Sequence, residues 1–199
     1  MTEREIRLPM AEEEARSLRV GDVLCLSGRL FTARDSAHRL LADLLARGET
    51  LPFKPVPDVV YHCGPLAVRR GAGWRILSAG PTSSTRLDSH APALIAGLGL
   101  HLLVGKGGIG KKTERALRER GAAYAHATGG AGALAARAIE EVEDVFWLEE
   151  LGMPEAVWFL RVNRLGPLLV TMDSVGGNLY QEVAHEVESK RRELETRIG

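Results

Sequence analysis

The sequence predicts an α/β domain, and three observations carry that prediction. Short apolar runs with strand character alternate with helical patterns along the chain. Several of those runs end in loops rich in glycine or proline, and no period of 20 to 50 residues marks a repeat architecture. The composition, 45% hydrophobic and 26% charged over 199 residues, is enough for one core, so residues 1–199 are read as a single three-layer or barrel-like domain.

The elements follow in order. Glu12 to Leu18 reads as a short helical turn ending at Gly21-Asp22, and Val23 to Leu26 as a strand followed by a bend over Ser27–Thr32. Arg34-Asp35-Ser36-Ala37-His38 opens a helix whose Leu40, Leu41, Leu44 and Leu45 bury one face until Gly48 stops it. Val59 to Cys63 is a second strand closed by Gly64-Pro65, and Arg75 to Ala79 a third that delivers Gly80-Pro81-Thr82-Ser83-Ser84-Thr85-Arg86. A helix through Leu94–Gly97 and a strand at Leu102–Val104 lead to the glycine-dense loop Gly105–Gly110. Thr113–Glu119 is then helical, Ala122–Ala127 a strand, Gly129-Gly130 a turn and Ala131–Ile139 an alanine-rich helix. Ala156–Val162 and Leu168–Met172 read as two further strands, and Leu179–Ile198 as a charged helix with Val183, Val187, Leu194 and Ile198 near one face.

Charge and cysteine content narrow the function classes. Twenty-six Lys and Arg balance 26 Asp and Glu, so no overall positive field is available for a nucleic-acid backbone or an anionic membrane. The longest apolar stretch, Ala93 to Val104, is too short to span a bilayer, and the first residues lack a leader pattern, so a cytoplasmic location is expected. Cys25 and Cys63 stand apart, too few for a disulfide framework or for the three or four thiolates of an iron-sulfur cluster. Cys25 reads as a core thiol in a strand, whereas Cys63, before Gly64-Pro65, either packs or lines a site.

Three loops each bring a cation next to residues that permit close backbone approach: Arg34 at a helix start, Arg86 after Thr82-Ser83-Ser84-Thr85, and Lys106 between glycines. A planar guanidinium fork suits a carboxylate and an ammonium offers a compact charge, so three such groups converging would hold a small dianion. The plainer alternative is that each pairs with a surface acid. Other motifs are weaker. Gly105 to Lys111 fits GxxxxGK, but Lys112 stands where a phosphate loop needs Ser or Thr for magnesium. Gly130-Ala131-Gly132 has no acidic residue closing a later strand, and Asp88 and His90 lack a GxSxG elbow for a triad.

Arg34–His38, Gly80–Arg86 and Gly105–Gly108 resemble, in order and spacing, the beta region of class I fumarate hydratases and L-tartrate dehydratases. The resemblance extends through Gly129-Gly130, Glu150–Trp158, Val170–Ser174 and Asn178–Tyr180, leaving out only the first few and last dozen residues. It implies a swivelling β/β/α domain acting as a separate beta subunit of a hydro-lyase. Fumarate hydration to L-malate is the first expectation, with L-tartrate dehydration, or a non-catalytic dicarboxylate-binding module, as alternatives.

By the same resemblance, a 4Fe-4S cluster acts as Lewis acid, and its three cysteine ligands belong to an alpha subunit, the expected partner in a hetero-oligomer. Arg34, Arg86 and Lys106 would bind the substrate's carboxylates, and Thr82 would transfer the carbon-bound proton, paired with an aspartate of the alpha subunit because a lone threonine hydroxyl is a poor base. Thr82 could otherwise cap the next helix. His38, one turn beyond Arg34, would touch the substrate or cluster environment, or lie on the helix surface. Asp35 would interact with the helix dipole or orient Arg34.

Overall fold

A computed structural model describes residues 3–198; the leader reading at Met1-Thr2 and the side chain of Ile198 on the tail helix lie outside the described residues. The chain runs β1 (Glu3–Arg7), α1 (Glu12–Ser17), β2 (Val23–Thr32), α2 (Asp35–Ala46), β3 (Val59–Tyr61), β4 (Leu66–Arg70), β5 (Gly73–Ser78) and a 3-10 turn at Ser84–Leu87. It continues with α3 (Ala91–Leu98), β6 (Leu102–Gly105), α4 (Lys111–Arg120), β7 (Ala123–Ala127), α5 (Gly132–Arg137), β8 (Ile139–Phe146), α6 (Leu148–Leu151), β9 (Val157–Met172) and α7 (Leu179–Ile198). The expected α/β class is what forms.

Strands β1, β2, β3, β6 and β7 are parallel neighbours in that order, and β9 runs antiparallel to β7. The same β9 also pairs antiparallel with β2, so β2, β3, β6, β7 and β9 close into a ring. Residue alternation then separates two cores. Val59 and Tyr61, Leu102 and Val104, and Ala123 and Ala125 pack on one side together with Leu24, Trp158 and Leu160. Val60, Leu103 and Tyr124 face the other way, onto Leu41 of α2, Leu94 of α3 and Leu117 of α4.

Three expectations are corrected. The bend at Ser27–Thr32 is instead the second half of β2. Gly28 has φ +129° and a Cβ there would meet Leu8 O at 2.7 Å, so the Ser-Gly pair marks a register shift against β9, a bulge that keeps the ladder going. The two strands at 156–172 are one, β9, in which Leu165 still pairs with Leu26 and Leu168 with Leu24 across the same irregularity. The helix at 131–139 stops at Arg137, and Ile139–Phe146 forms β8, an acidic edge strand paired to β9 alone. The expected third strand does form, as β5, and among the described residues it pairs with β4 in a separate hairpin.

Loops at the carboxyl ends of β2, β3 and β6 lie together on one rim of the ring, where ligands of parallel α/β sheets bind. Isolated bridges from Cys63 to Pro81 and from Ser83 to Lys106 bring the segment after β5 into that rim. No described helix is long and apolar enough to cross a membrane.

Candidate active site

The backbone of the rim is tied before its side chains are considered. Thr82 N–H donates to His62 O (2.7 Å), Lys106 N–H to Thr82 O (3.1 Å) and Ser84 N–H to Lys106 O (3.1 Å). Thr82 and Lys106, 24 positions apart in sequence, are therefore adjacent on a short ladder. Gly105 makes this possible: a Cβ there would fall on Ser84 Oγ and come within 2.9 Å of His62 Nδ1 and 3.1 Å of the Tyr124 hydroxyl. The Gly107 N–H donates to His126 Nδ1 (3.2 Å), and the hydroxyls of Tyr124 and Tyr180 both reach Gly107 O. Lys106 thus sits between two pinned residues.

The cations divide into paired and unpaired. Arg86 Nη2 donates to Thr82 Oγ1 (2.8 Å) and to Asp35 Oδ2 (2.9 Å), so one guanidinium joins the hydroxyl to the start of α2. Asp35 orients Arg86 and not Arg34. Arg34, immediately before α2, lies with Nε 3.3 Å from Glu155 Oε1, an ion pair without hydrogen-bond alignment, while the other Glu155 oxygen accepts from Ser36 N–H at 2.7 Å. One carboxylate from the segment before β9 therefore occupies both a guanidinium and the first turn of a helix, the two kinds of donor that a substrate carboxylate would use. Lys106 has no acid within ion-pair reach among the described residues; its chain runs past Gly129, where a Cβ would lie 3.4 Å from Cδ and 3.9 Å from Nζ.

The plainer reading, a surface acid for each cation, holds for Arg34 and Arg86 and not for Lys106. The arrangement is shallow: Asp35, Ser36, Arg39, Arg86 and His90 line a cleft of about 180 Å³ beside Thr82. A larger space of about 370 Å³ between the β4–β5 hairpin, α5 and β8 is lined by none of the predicted site residues.

His38 departs from its expected place. Its imidazole is fully buried and its Nδ1 lies 3.0 Å from Arg34 O, so it faces neither the open rim nor the helix surface. Burial lowers its pKa to about 4. Against it, edge to face with centroids 5.0 Å apart, packs His62, likewise fully buried and held well below the ordinary imidazole value by burial and by the neighbouring His38. The sequence does not single out His62, Tyr124 and Glu155, because each acquires its meaning only from partners far away in sequence; Ser84 stands out in the hydroxyl run as a donor to a carboxylate or to its own backbone, whereas its Oγ lies against His62 and Tyr124.

The decoy motifs resolve physically. Asp88 Oδ1 accepts from both Thr113 N–H (2.9 Å) and Thr113 Oγ1 (2.8 Å), so a carboxylate already holds the start of α4 where a phosphate loop would bind its anion. Cys63 is fully buried, and burial pushes its thiol up, whereas Cys25 is half-buried on β2 and also raised. Inert protonated thiols on separate elements do not fit the ligand set of an iron-sulfur cluster, and no group of three His, Cys, Asp or Glu with metal-binding placement occurs among the described residues.

Comparison with known proteins identifies the family. The family described as Fumarase C-terminus matches residues 1–183. An Escherichia coli K12 protein named L(+)-tartrate dehydratase subunit beta is 40% identical over 174 residues, covering 87% of this chain and 85% of its own. A Methanocaldococcus jannaschii protein carrying the same name provisionally is 40% identical over 185 residues, 93% of this chain and 95% of its own. A Geobacillus stearothermophilus protein provisionally named class I fumarate hydratase is 39% identical over 179 residues, 89% of this chain but 34% of that longer one. With the matched region running from the first strand into the last helix, this chain belongs to the Fumarase C-terminus family, alongside the beta subunits of L(+)-tartrate dehydratase.

Proposed function

We propose that this chain is the beta subunit of an iron-sulfur hydro-lyase and contributes the carboxylate-binding and proton-transfer half of a composite active site. The observation that carries this reading is the Arg86 bridge: one guanidinium holds the Thr82 hydroxyl and the start of α2 at once, with the unpaired Lys106 on the adjoining strand of the same ladder. Relatives covered over most of their length are named as beta subunits, which supports a partner chain.

The residues present divide the work as follows. Arg34, Arg86 and Lys106 hold the two carboxylates of the substrate, with Arg34 exchanging Glu155 for one of them. In the dehydration direction the Thr82 oxygen takes the proton from the carbon beside a carboxylate, and the electron pair of that C–H bond moves toward the carboxylate and the forming double bond. An N–H from Arg86 at Thr82 Oγ1 lowers the cost of negative charge on that oxygen and leaves its own O–H free to donate away from Arg86. As the C–H proton arrives, the hydroxyl proton of Thr82 passes to an aspartate carboxylate of the alpha subunit, which acts as the base. The thiols of this chain do not fit a 4Fe-4S cluster; by the family resemblance an alpha subunit would hold it, and it would supply the Lewis acid for the substrate's hydroxyl group.

Fumarate and L-malate are the first substrate pair. L-tartrate is the second reading, favoured because the relatives matched over 85% or more of their own length are named for it. Anaerobic affinity purification of the chain from its native cells, with the eluate assayed for iron and for fumarate and L-tartrate turnover, tests both. A cysteine-containing partner, iron and hydro-lyase activity are expected, and the preferred substrate names the enzyme. Recovery of the chain alone, iron-free and inactive, would overturn the reading in favour of a dicarboxylate-binding module.

A further inference from the structure

Beneath the rim, a polar path crosses the core and touches the backbone of every proposed site loop. It begins at Arg34 O, which accepts from His38 N–H (2.8 Å) and from His38 Nδ1 (3.0 Å). His38 meets His62 ring to ring. His62 Nδ1 lies 2.8 Å from Ser84 Oγ, Ser84 Oγ 2.9 Å from the Tyr124 hydroxyl, and the Tyr124 hydroxyl 2.9 Å from Gly107 O. On the way, His62 O accepts the Thr82 N–H. His38, His62 and Ser84 are each fully buried, as is Tyr124.

Proton counting orders the path. A carbonyl can only accept, so His38 carries its proton on Nδ1 and leaves Nε2 bare. Gly107 O likewise takes the Tyr124 proton, which frees Tyr124 oxygen to accept. Ser84 then has one proton to give, either to Tyr124 or to His62 Nδ1. Giving it to His62 places the second imidazole proton on Nε2, so the two touching rings carry one free donor and one free acceptor. The opposite choice would bury two bare lone pairs on rings that touch, the costlier arrangement. Both Nε2 atoms are buried without another partner in the protein.

We infer that His38 and His62 form a neutral imidazole pair of opposite tautomers whose role is positioning: it fixes the start of α2, with Arg34 just before it and Asp35 in its first turn, against the loops that carry Thr82 and Lys106. This rests on the proposed hydro-lyase reading and adds to it residues that touch no substrate. The pair is insulated. Groups facing it are Arg34 and Asp35 on the α2 side, His90 before α3, Ser84 after Thr82, and Tyr124 on β7. Burial raises the pKa of Tyr124, so it stays uncharged near neutral pH.

The test uses the enzyme assembled with its partner and variants of His62. His62→Leu removes both ring nitrogens at similar volume, whereas His62→Asn keeps a polar atom near the Nδ1 position facing Ser84. The expected result is a fall in kcat of about tenfold or more for His62→Leu with KM changed far less, because a small displacement of Thr82 costs rate before it costs carboxylate binding, and partial recovery of kcat in His62→Asn. Unchanged kcat in a folded, assembled His62→Leu enzyme overturns the inference.

Should that variant fail to assemble, nitrogen-15 NMR of the imidazoles in the unaltered full chain decides. Two neutral rings of opposite tautomer at pH 6 are expected, and a protonated ring or two identical tautomers overturn the pair. Absence of hydro-lyase turnover in the unaltered assembly would sink the proposed function and leave the tautomer result standing.

Discussion

The rim around Thr82 and the helix α7 show opposite ways for a sequence to spend its polar residues. On the rim, polar groups other than Lys106 are tied between elements: Arg86 to Thr82 and Asp35, Ser84 to His62 and Tyr124, Glu155 to Ser36 and Arg34. On α7, the ion pairs are local, Lys190 with Glu186 and Arg192 with Glu188 one turn apart, and Val183, Val187 and Leu194 remain exposed. Local pairs stabilise a helix by a few tenths of a kcal/mol each and specify nothing beyond it. Long-range pairs define relative positions, which chemistry requires. Among the described residues of α7, Tyr180 at its start is the one that reaches the rim, through Gly107 O.

The contrast is broken most directly at Thr82. Thr82→Ala in the assembled enzyme is expected to cut kcat by about 10² or more with an unchanged melting temperature, since the hydroxyl has a proton-transfer role and its loss leaves the backbone ladder intact. Near-normal turnover would remove Thr82 from the mechanism and leave the rim as a binding surface.

The buried imidazoles sharpen the contrast through pH. In the unfolded chain His38 protonates near 6.5, whereas in the fold it stays neutral until about 4. The unfolded state therefore binds the proton first. Stability is fully present above 6.5 and is lost as pH falls toward 4, by about 2 kcal/mol between pH 7 and pH 5 from His38, with His62 adding in the same direction. Denaturant unfolding at the two pH values measures this, and an unchanged midpoint would mean that the rings are not buried neutral.

A smaller effect is expected at Arg86. Arg86→Lys keeps the charge but loses the fork that reaches Thr82 and Asp35 together, and steady-state kinetics should show kcat/KM reduced about tenfold. Unaltered kinetics would show that charge alone suffices there. The smallest effect belongs to α7: Val187→Ser should shift stability by less than about 0.5 kcal/mol and leave turnover untouched. A large loss would mean that another surface covers that stripe.

These differences explain what could be read in advance. The helical period of α7 is local and its limits, Leu179–Ile198, agree with the pattern; Gly48 likewise ends α2 close to where expected. Thr82, Arg86 and Lys106 stand out because loops of small residues leave few structural reasons for a hydroxyl and a cation. Strand β8, by contrast, is rich in Glu and Asp at an edge that pairs with a strand formed later in the chain, so its conformation is a tertiary decision. The bulge at Gly28 reads locally as a turn and only its proximity to Leu8 shows otherwise. His38 was legible as a helical residue near Arg34, but nothing nearby in sequence points it inward toward His62.

Strand β9 has a bearing on how the protein is made. Its sixteen residues supply the antiparallel neighbour of β7 and both halves of β2, pairing Val23 with Leu169 and Phe31 with Phe159. During synthesis the ring therefore stays open until nearly all of the matched family region has left the ribosome, with the hydrogen-bonding edges of β2 and β7 unpaired in the meantime. Such edges invite pairing between nascent chains. Yield at high expression should accordingly depend on translation rate and chaperone supply more than on the stability of the finished fold.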